Sequence, residues 1–123
     1  MRDVKDLARN YIAIWNETDA GSRQDLIART WSDDASYTDP IFDVSGHDGI
    51  ETMVSGFQSQ YPGLNFRLPG EPDAHHNYLR FRWELVEGSG NIVAAGTDVG
   101  LIESGRLRVI AGFFDQAPAL DVP

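Results

Sequence analysis

The sequence predicts a single α+β domain in which three helices pack on one face of a curved sheet. Three segments with helical periodicity occupy the first half of the chain, and segments rich in β-branched and aromatic residues dominate the second half. Short glycine-containing turns separate the last of these segments. A chain of 123 residues suits one domain better than two. We expect residues 1–116 to form this domain and residues 117–123 to be a C-terminal tail.

Composition and charge exclude several classes of function. Nineteen Asp and Glu against ten Lys and Arg give a formal charge of −9, which leaves no basic surface for a nucleic acid or an anionic membrane. The absence of cysteine excludes disulfides, thiolate catalysis and cysteine-based metal sites. The N-terminus has no apolar signal core, and no apolar run is long enough for a membrane span. We therefore expect a cytoplasmic protein whose partner is a small molecule or another protein.

The first two helices are predicted to form a helical corner. Between Asp3 and Thr18 the apolar residues recur every three or four positions, which is the pattern of an amphipathic helix. Ser22, followed by Asp25 three residues later, has the form of a capping box that begins a second, shorter helix through Thr30.

The remaining elements alternate between one helix and several strands. A short strand, Ala35 to Asp39, is halted by Pro40. Asp48 is predicted to cap a third helix, with Glu51 at its capping-box position. Four further strands are predicted at Leu64 to Leu68, Tyr78 to Val86, Ile92 to Ile102 and Arg106 to Phe114. Because the turns between the last three are short, these strands should be antiparallel neighbours.

A carboxyl group in the middle of an apolar strand is the main functional signal. Asp98 lies between Gly96 and Gly100, and alternation places all three on one face of the strand. A buried carboxylate is costly unless it is paired, protonated or used in chemistry. The structural alternative is a salt bridge, for which Arg67 is the best-placed arginine. Without such a partner, burial should raise the pKa of Asp98 and keep it protonated near neutral pH.

The same alternation predicts a pocket wall and an outer face. Beside Asp98, the strand residues Ile92 and Ile102 should face inward, and the predicted ligand pocket comprises Trp15, Trp31, Tyr37, Met53, Phe57, Tyr61, His75, Phe81, Trp83, Ile110 and Phe114. The alternate positions are too apolar for solvent: Val93, Val99, Leu101, Leu107, Val109 and Phe113. A homodimer through the outer sheet face would bury them.

Two adjacent histidines admit two interpretations. His75 and His76 lack further ligands at fixed spacing, and His47 lies far away in a loop, so no metal site is predicted. His75 is separated from Phe81 and Trp83 by an even number of residues, so strict alternation would place it on the same inward face. It could then reach the pocket and act as the base of a dehydratase or cyclase.

Several motifs together resemble a known superfamily. The runs are Tyr11 to Asp19, Trp31 to Pro40 followed by Gly46 and a helix, and the ending from Gly96 through Gly105 to Asp115. In this order they resemble the NTF2-like superfamily, in particular its SnoaL-like members. The resemblance implies a cone formed by a curved antiparallel sheet wrapped by helices, with an apolar pocket inside and an outer face often used for dimerisation. Its members include isomerases, cyclases, dehydratases, epoxide hydrolases and proteins that only bind.

Three positions are similar to those of the ketosteroid isomerase family: Tyr11, Asp39 before Pro40, and Asp98. The resemblance implies that Asp39 moves a proton between two carbons of a hydrophobic polycyclic ketone or terpenoid, without a cofactor. Tyr11 and a protonated Asp98 would then hydrogen-bond the oxygen on which charge develops. A non-catalytic ligand-binding or dimeric interaction domain is the alternative, in which Asp39 only caps a turn and Tyr11 is a core residue. An epoxide hydrolase would need an arginine where Gly96 stands, and the three tryptophans are bulky for a steroid cavity.

Overall fold

The structure, a computed structural model, describes residues 3–117, and within them it confirms the α+β prediction. The helices are α1 (Val4–Asn16), α2 (Ala20–Thr30) and α3 (Gly46–Gln60). The strands are β1 (Trp31–Thr38), β2 (Asp43–Ser45), β3 (Asn65–Arg67), β4 (Asp73–His75), β5 (Tyr78–Val86), β6 (Ile92–Glu103) and β7 (Arg106–Gln116). The predicted tail, apart from Ala117, lies outside the described residues. None of the helices in this part of the chain is both long and apolar enough to span a membrane.

The sheet is mixed rather than antiparallel throughout. Its strand order is β2-β1-β7-β6-β5-β3, and β4 pairs with the first residues of β5. The predicted antiparallel order of β5, β6 and β7 is confirmed. The expectation of an antiparallel sheet is wrong at one seam, since β1 pairs with β7 in parallel. This seam places the end of β1 beside the middle of β7, because Thr38 is opposite Ala111.

Helix α1 buries the face that its periodicity predicts and begins at a side-chain cap. Asp3 accepts a hydrogen bond from the backbone N–H of Lys5 at 3.2 Å, which satisfies one of the free amides of the first turn. Its buried residues are Leu7, Ala8, Tyr11, Ile12, Ile14 and Trp15. The helix therefore directs Tyr11 and Trp15 toward the inner face of the curved sheet.

The predicted starts of the other two helices are wrong. The cap of α2 is Asp19, which accepts from the N–H of Ser22 at 2.8 Å, so the helix begins before the predicted capping box. Helix α3 begins at Gly46, and the side chain of its N-cap residue, Ser45, makes no capping hydrogen bond to the helix. Glu51 is not part of a capping box because its carboxylate is occupied by Arg23.

A buried arginine ties the three helices together. Arg23 is only 3% exposed, and its guanidinium binds both carboxylate oxygens of Glu51 at 2.7 Å. It also donates to the carbonyl oxygen of Glu17 and to the side chain of Gln58. Since a buried arginine is tolerated only when its donors are satisfied, this network explains why α2 can bury a charged residue.

Irregularities in the sheet reverse the predicted orientation of two residues. Leu107 was expected on the outer face but is fully buried, because the β6–β7 register shifts between Leu101 and Ile102. Ile92 was expected inside but is 42% exposed, because the β5–β6 register shifts between Leu85 and Val86. Strict alternation fails at such bulges.

Candidate functional site

A small cavity lies between the helices and the inner face of the sheet. It is lined by Tyr11, Ile12, Trp15, Tyr37, Asp39, Ile41, Phe42, Phe57, Phe66, Trp83, Asp98 and Phe114. Its volume is about 30 Å³, which is room for about two water molecules. A cavity that holds benzene needs roughly 150 Å³. An organic ligand therefore needs the wall to move, and the exposed Ile41 and half-buried Phe42 lie on the loop after β1.

Asp98 stands on β6 at the floor of this cavity with two hydrogen-bond donors. The strand pairs it with Phe81 of β5 and Gly112 of β7, and its side chain is 2% exposed. The Tyr11 hydroxyl lies 2.7 Å from Oδ2, and the Trp83 indole N–H donates to Oδ1 at 2.8 Å. The salt bridge with Arg67 does not form, because Arg67 pairs instead with Glu84 at 2.7 Å.

Burial dominates the acidity of Asp98. Loss of water raises its pKa from 3.8 to about 7, although the hydrogen bonds from Tyr11 and Trp83 act in the opposite direction. The nearby charge of Asp39 acts in the same direction as burial and is a smaller cause of this raised pKa. Burial also raises the pKa of Tyr11 and of Tyr37 well above 10.0, so both phenols are neutral donors at physiological pH. Asp98 thus changes its protonation state near neutrality.

Asp39 lies at the cavity mouth directly after β1 and is held by three donors. The Tyr37 hydroxyl donates to Oδ2 at 2.5 Å, and the backbone N–H groups of Ile41 and Phe42 donate to Oδ1 at 2.8 Å. The two hydrogen bonds from backbone N–H groups are the turn-capping contacts that an Asp before Pro commonly makes. They fix the carboxylate so that Oδ2 is the oxygen on the Tyr37 side.

Gly112 of β7 shows that the two carboxyl groups converge. A Cβ at this position would lie 2.9 Å from Oδ1 of Asp98, 3.3 Å from Cβ of Asp39 and 3.4 Å from the Tyr37 hydroxyl. A contact under 3 Å with a buried oxygen is not tolerated without movement. Position 112 therefore has no room for a side chain, and the space belongs to the polar groups.

Aromatic rings form the rest of the wall. The Trp15 ring lies 5.4 Å from that of Phe57 and 5.3 Å from that of Phe66, while Phe66 lies 5.5 Å from Trp83. A Cβ at Gly96 would collide with the Trp83 ring, so this glycine lets the indole lie flat on β6. The indole N–H can then reach Asp98. The site is an apolar box in which the carboxyl groups of Asp98 and Asp39 lie near each other beside Gly112 of β7.

The structure brings together some of the predicted site residues and separates others. Asp39, Tyr11 and Asp98 line one cavity, as do five of the predicted wall residues: Trp15, Tyr37, Phe57, Trp83 and Phe114. Trp31, Met53, Phe81 and Ile110 do not line it, because they are buried in the packed core around it. Tyr61 is half-buried against Phe57 at a ring distance of 5.0 Å.

His75 is placed away from the cavity. It is exposed on β4, where its ring nitrogen Nδ1 lies 3.2 Å from that of His76 and its ring lies 6.0 Å from that of Tyr78. Alternation along β5 does not extend to His75, because β4 is a separate short strand that pairs with the first residues of β5. Among residues 3–117 no group of three or more His, Asp or Glu could hold a metal ion.

Four lining residues were missed by sequence analysis: Ile12, Ile41, Phe42 and Phe66. Ile12 lies next to Tyr11 at the edge of the helical stripe, and Phe66 is the middle residue of a three-residue strand. Ile41 and Phe42 follow the Asp-Pro turn, where no periodic pattern exists. Only the apolar pair directly after a turn could have marked that loop as part of a pocket.

Comparisons with known proteins point to one family. The family model described as the SnoaL-like domain matches residues 8–110. A candidate isomerase of the SnoaL-like family from Agrobacterium tumefaciens str. C58 is 38% identical, with a TM-score of 0.86 over 89% of this chain and 95% of that chain. No curated protein matches the sequence.

More distant structures share the fold alone. A candidate ketosteroid isomerase from Kribbella flavida DSM 17836 is 18% identical, with a TM-score of 0.69 over 98% of this chain and 83% of that chain. An NTF2-like protein of unknown function from Exiguobacterium sp. 255-15 is 19% identical, with a TM-score of 0.71 over 90% and 99% of the two chains. These likenesses agree with the three helices packed on a curved, open sheet.

Proposed function

Because the chain belongs to the SnoaL-like family, we propose that it binds an apolar carbonyl compound and isomerises or cyclises it by proton transfer without a cofactor. One observation supports the proposal above the others. A carboxylate at the mouth, Asp39, and a carboxyl group with a raised pKa at the floor, Asp98, face the same small aromatic cavity. Two carboxyl groups with different environments suit two different roles in acid–base catalysis.

The reaction follows from the positions of these groups. Asp39 takes a proton from the carbon between the ligand carbonyl and a β,γ double bond, and the electrons of the broken C–H bond delocalise onto the carbonyl oxygen as a dienolate forms. The Tyr11 hydroxyl, which itself contacts neutral Asp98, donates a hydrogen bond to that oxygen. Asp39 then returns the proton to the γ carbon of the dienolate, and the double bond moves into conjugation with the re-formed carbonyl. The aromatic wall holds the apolar body of the ligand.

The size of the cavity bears on the ligand. The polar groups lie together, so the proposed ligand carries one oxygen at the deep end and an otherwise apolar body. A polycyclic ketone or terpenoid requires the loop with Ile41 and Phe42 to open, whereas a one-ring ketone requires a smaller displacement. The substrate test therefore includes one ketone of each size.

The experiment measures isomerisation of a steroid 5-ene-3-one and of cyclohex-3-enone by the wild type and by Asp39→Asn. Removing the base is expected to lower the rate at least about 100-fold, because general base catalysis contributes on the order of 10² to 10⁴. Asp25→Asn is the matched control, since Asp25 is an exposed carboxylate on α2. Equal rates for wild type and Asp39→Asn, or no rate above background with either ketone, would refute the isomerase.

One observation favours a carrier without turnover as the second candidate. Both oxygens of Asp39 already accept hydrogen bonds, and those from Ile41 and Phe42 are ordinary turn contacts. In a carrier Asp39 would only shape the mouth of the site. Saturable quenching of tryptophan fluorescence by either ketone, together with no isomerisation, would identify this case, since Trp15 and Trp83 line the cavity.

We also propose that the protein forms a homodimer in which the outer faces of the two sheets pack against each other. Phe113 is 58% exposed and Val99 is 37% exposed on adjacent strands, while Leu101 and Val109 form a directly opposed pair beside them. Exposed apolar residues grouped in this way favour burial against another protein surface. A second copy presents the same face, which suits two-fold pairing.

A further inference from the structure

The donor-only chemistry of one tryptophan constrains the proton of Asp98. An indole N–H can donate a hydrogen bond and cannot accept one. Trp83 donates to Oδ1 of Asp98 at 2.8 Å, and the Tyr11 hydroxyl, which can both donate and accept, lies 2.7 Å from Oδ2. The two oxygens of this buried carboxyl group are therefore not equivalent.

A neutral Asp98 satisfies both contacts in one arrangement. With the proton on Oδ2, the acid donates to the Tyr11 oxygen, and Oδ1 remains a carbonyl that accepts from Trp83. With the proton on Oδ1, the weaker acceptor oxygen would face the indole and the acid proton would lack the tyrosine acceptor. An unsatisfied buried donor is costly, so the first arrangement is favoured.

The hydrogen of Tyr11 must then point away from Asp98. Its next polar neighbour is Tyr37, whose pKa is raised by burial and lowered by a hydrogen-bonding contribution from Tyr11. Tyr37 in turn donates to Asp39. When Asp98 is neutral, the Tyr11 hydrogen is therefore turned away from Asp98, toward Tyr37 and the cavity in which a ligand oxygen could accept it.

We propose that Trp83 is a positioning residue that places the proton of neutral Asp98 on Oδ2, and so directs the Tyr11 hydroxyl hydrogen toward a ligand oxygen. Trp83 acts through Asp98 and need not touch the reacting atoms. This inference rests on the proposed function for its catalytic consequence, but the placement of the proton can be tested without turnover. The titratable groups that face Asp98 within the described residues are Tyr11, Tyr37 and Asp39.

The first test follows the Tyr11 ring carbon Cζ and the Asp98 carboxyl carbon by ¹³C NMR as the pH is changed. In the wild type, Tyr11 should change from donor to acceptor toward Asp98 when Asp98 is protonated, so both signals should titrate with one midpoint. In Trp83→Phe the Asp98 midpoint should rise by about one pH unit, because a donor to the ionised form is lost. The change at Tyr11 Cζ should shrink, because Oδ1 is free to carry the proton.

Trp31→Phe is the matched control. Trp31 is also a buried indole but lies outside the cavity, and its N–H has no hydrogen-bond partner among residues 3–117. The Trp31 ring lies 6.1 Å from the Tyr11 ring, but this variant removes no donor to Asp98, so the midpoints of both titrations should match those of the wild type. An unshifted Asp98 midpoint in Trp83→Phe, or an equal shift in Trp31→Phe, would overturn the assignment.

A second variant keeps the test valid if Trp83→Phe does not fold. In Asp98→Asn the indole fixes the amide carbonyl on its own side, so the NH₂ group must donate to Tyr11 at every pH. The Tyr11 Cζ signal should then stay at its acid-form position from pH 5 to pH 9. A signal at the base-form position would overturn the proposal.

Kinetics separate the inference from the proposed function. At pH 5.5, where Asp98 is protonated, Trp83→Phe should lower kcat about tenfold for whichever ketone the wild type converts, since the misdirected donor acts in the transition state. KM should change less than about twofold, because Phe keeps an aromatic ring in the cavity wall. A wild type without turnover would refute the proposed function and leave the NMR test to decide the inference. An active wild type with kcat unchanged in Trp83→Phe would refute the inference alone.

Discussion

Replacing Asp98 by Asn should remove a specific loss of stability at neutral pH. In the folded protein the pKa of Asp98 is about 7, whereas an unfolded Asp titrates near 3.9. Between these values the folded state holds a proton that the unfolded state has released, so the free energy of unfolding falls as the pH rises. The slope is about 1.4 kcal/mol per pH unit, and the total loss between pH 4 and pH 7 is about 4 kcal/mol.

Urea denaturation at half-unit steps from pH 4 to pH 8.5 measures this contribution. Asp98→Asn keeps a neutral group of the same shape, so its stability should match that of the wild type at pH 4 and exceed it by about 4 kcal/mol at pH 8. The difference between the two proteins cancels the titration of the surface carboxylates. Parallel stability curves for the two proteins would refute the claim that Asp98 is buried without a compensating charge.

Three further substitutions test separate features. Gly112→Ala should destabilise the fold by about 1–3 kcal/mol, because the added Cβ would collide with the Asp98 carboxyl group. Gly56→Ala, at an exposed position of α3, should stabilise the fold by about 0.5–1 kcal/mol. Chemical denaturation that finds Gly112→Ala more stable than Gly56→Ala would contradict both expectations. Thr30→Val should raise the free energy of unfolding by about 1 kcal/mol, since the buried Thr30 hydroxyl has no hydrogen-bond partner within the described part of the chain; a loss of stability would contradict this explanation. Phe113→Asp should convert the proposed dimer to a monomer in sedimentation analysis, with an unchanged dimer as the opposing result.

Periodicity predicted the parts of the fold whose pattern extends over a full element. The helical spacing of apolar residues in α1 places Tyr11 inward, and alternation along β6 places Asp98 on the same interior, although the two residues are 87 positions apart. Strands of three residues, such as β2 and β4, are too short to show a period. The parallel seam between β1 and β7 depends on tertiary packing that no local signal encodes.

The candidate site shows the same limit. The inward position of Asp98 could be predicted, but its partners could not. A choice among Arg67, Tyr11 and Trp83 depends on where the ends of long side chains meet in space. Glu51 has the spacing of a capping residue, yet the buried guanidinium of Arg23 binds it, because leaving that charge unpaired would cost more than leaving the helix start uncapped.

The most direct test of the account is exchange of the α-hydrogens of cyclohexanone in D₂O, followed by ¹H NMR. Exchange needs only a base for the C–H bond and a donor for the developing enolate oxygen, and it does not depend on the natural substrate. If Asp39 and Asp98 form an acid–base site, the wild type should accelerate exchange above the buffer rate, and Asp39→Asn should return it to that rate. Exchange at the buffer rate with the wild type, under conditions where cyclohexanone saturates the cavity, would contradict the account.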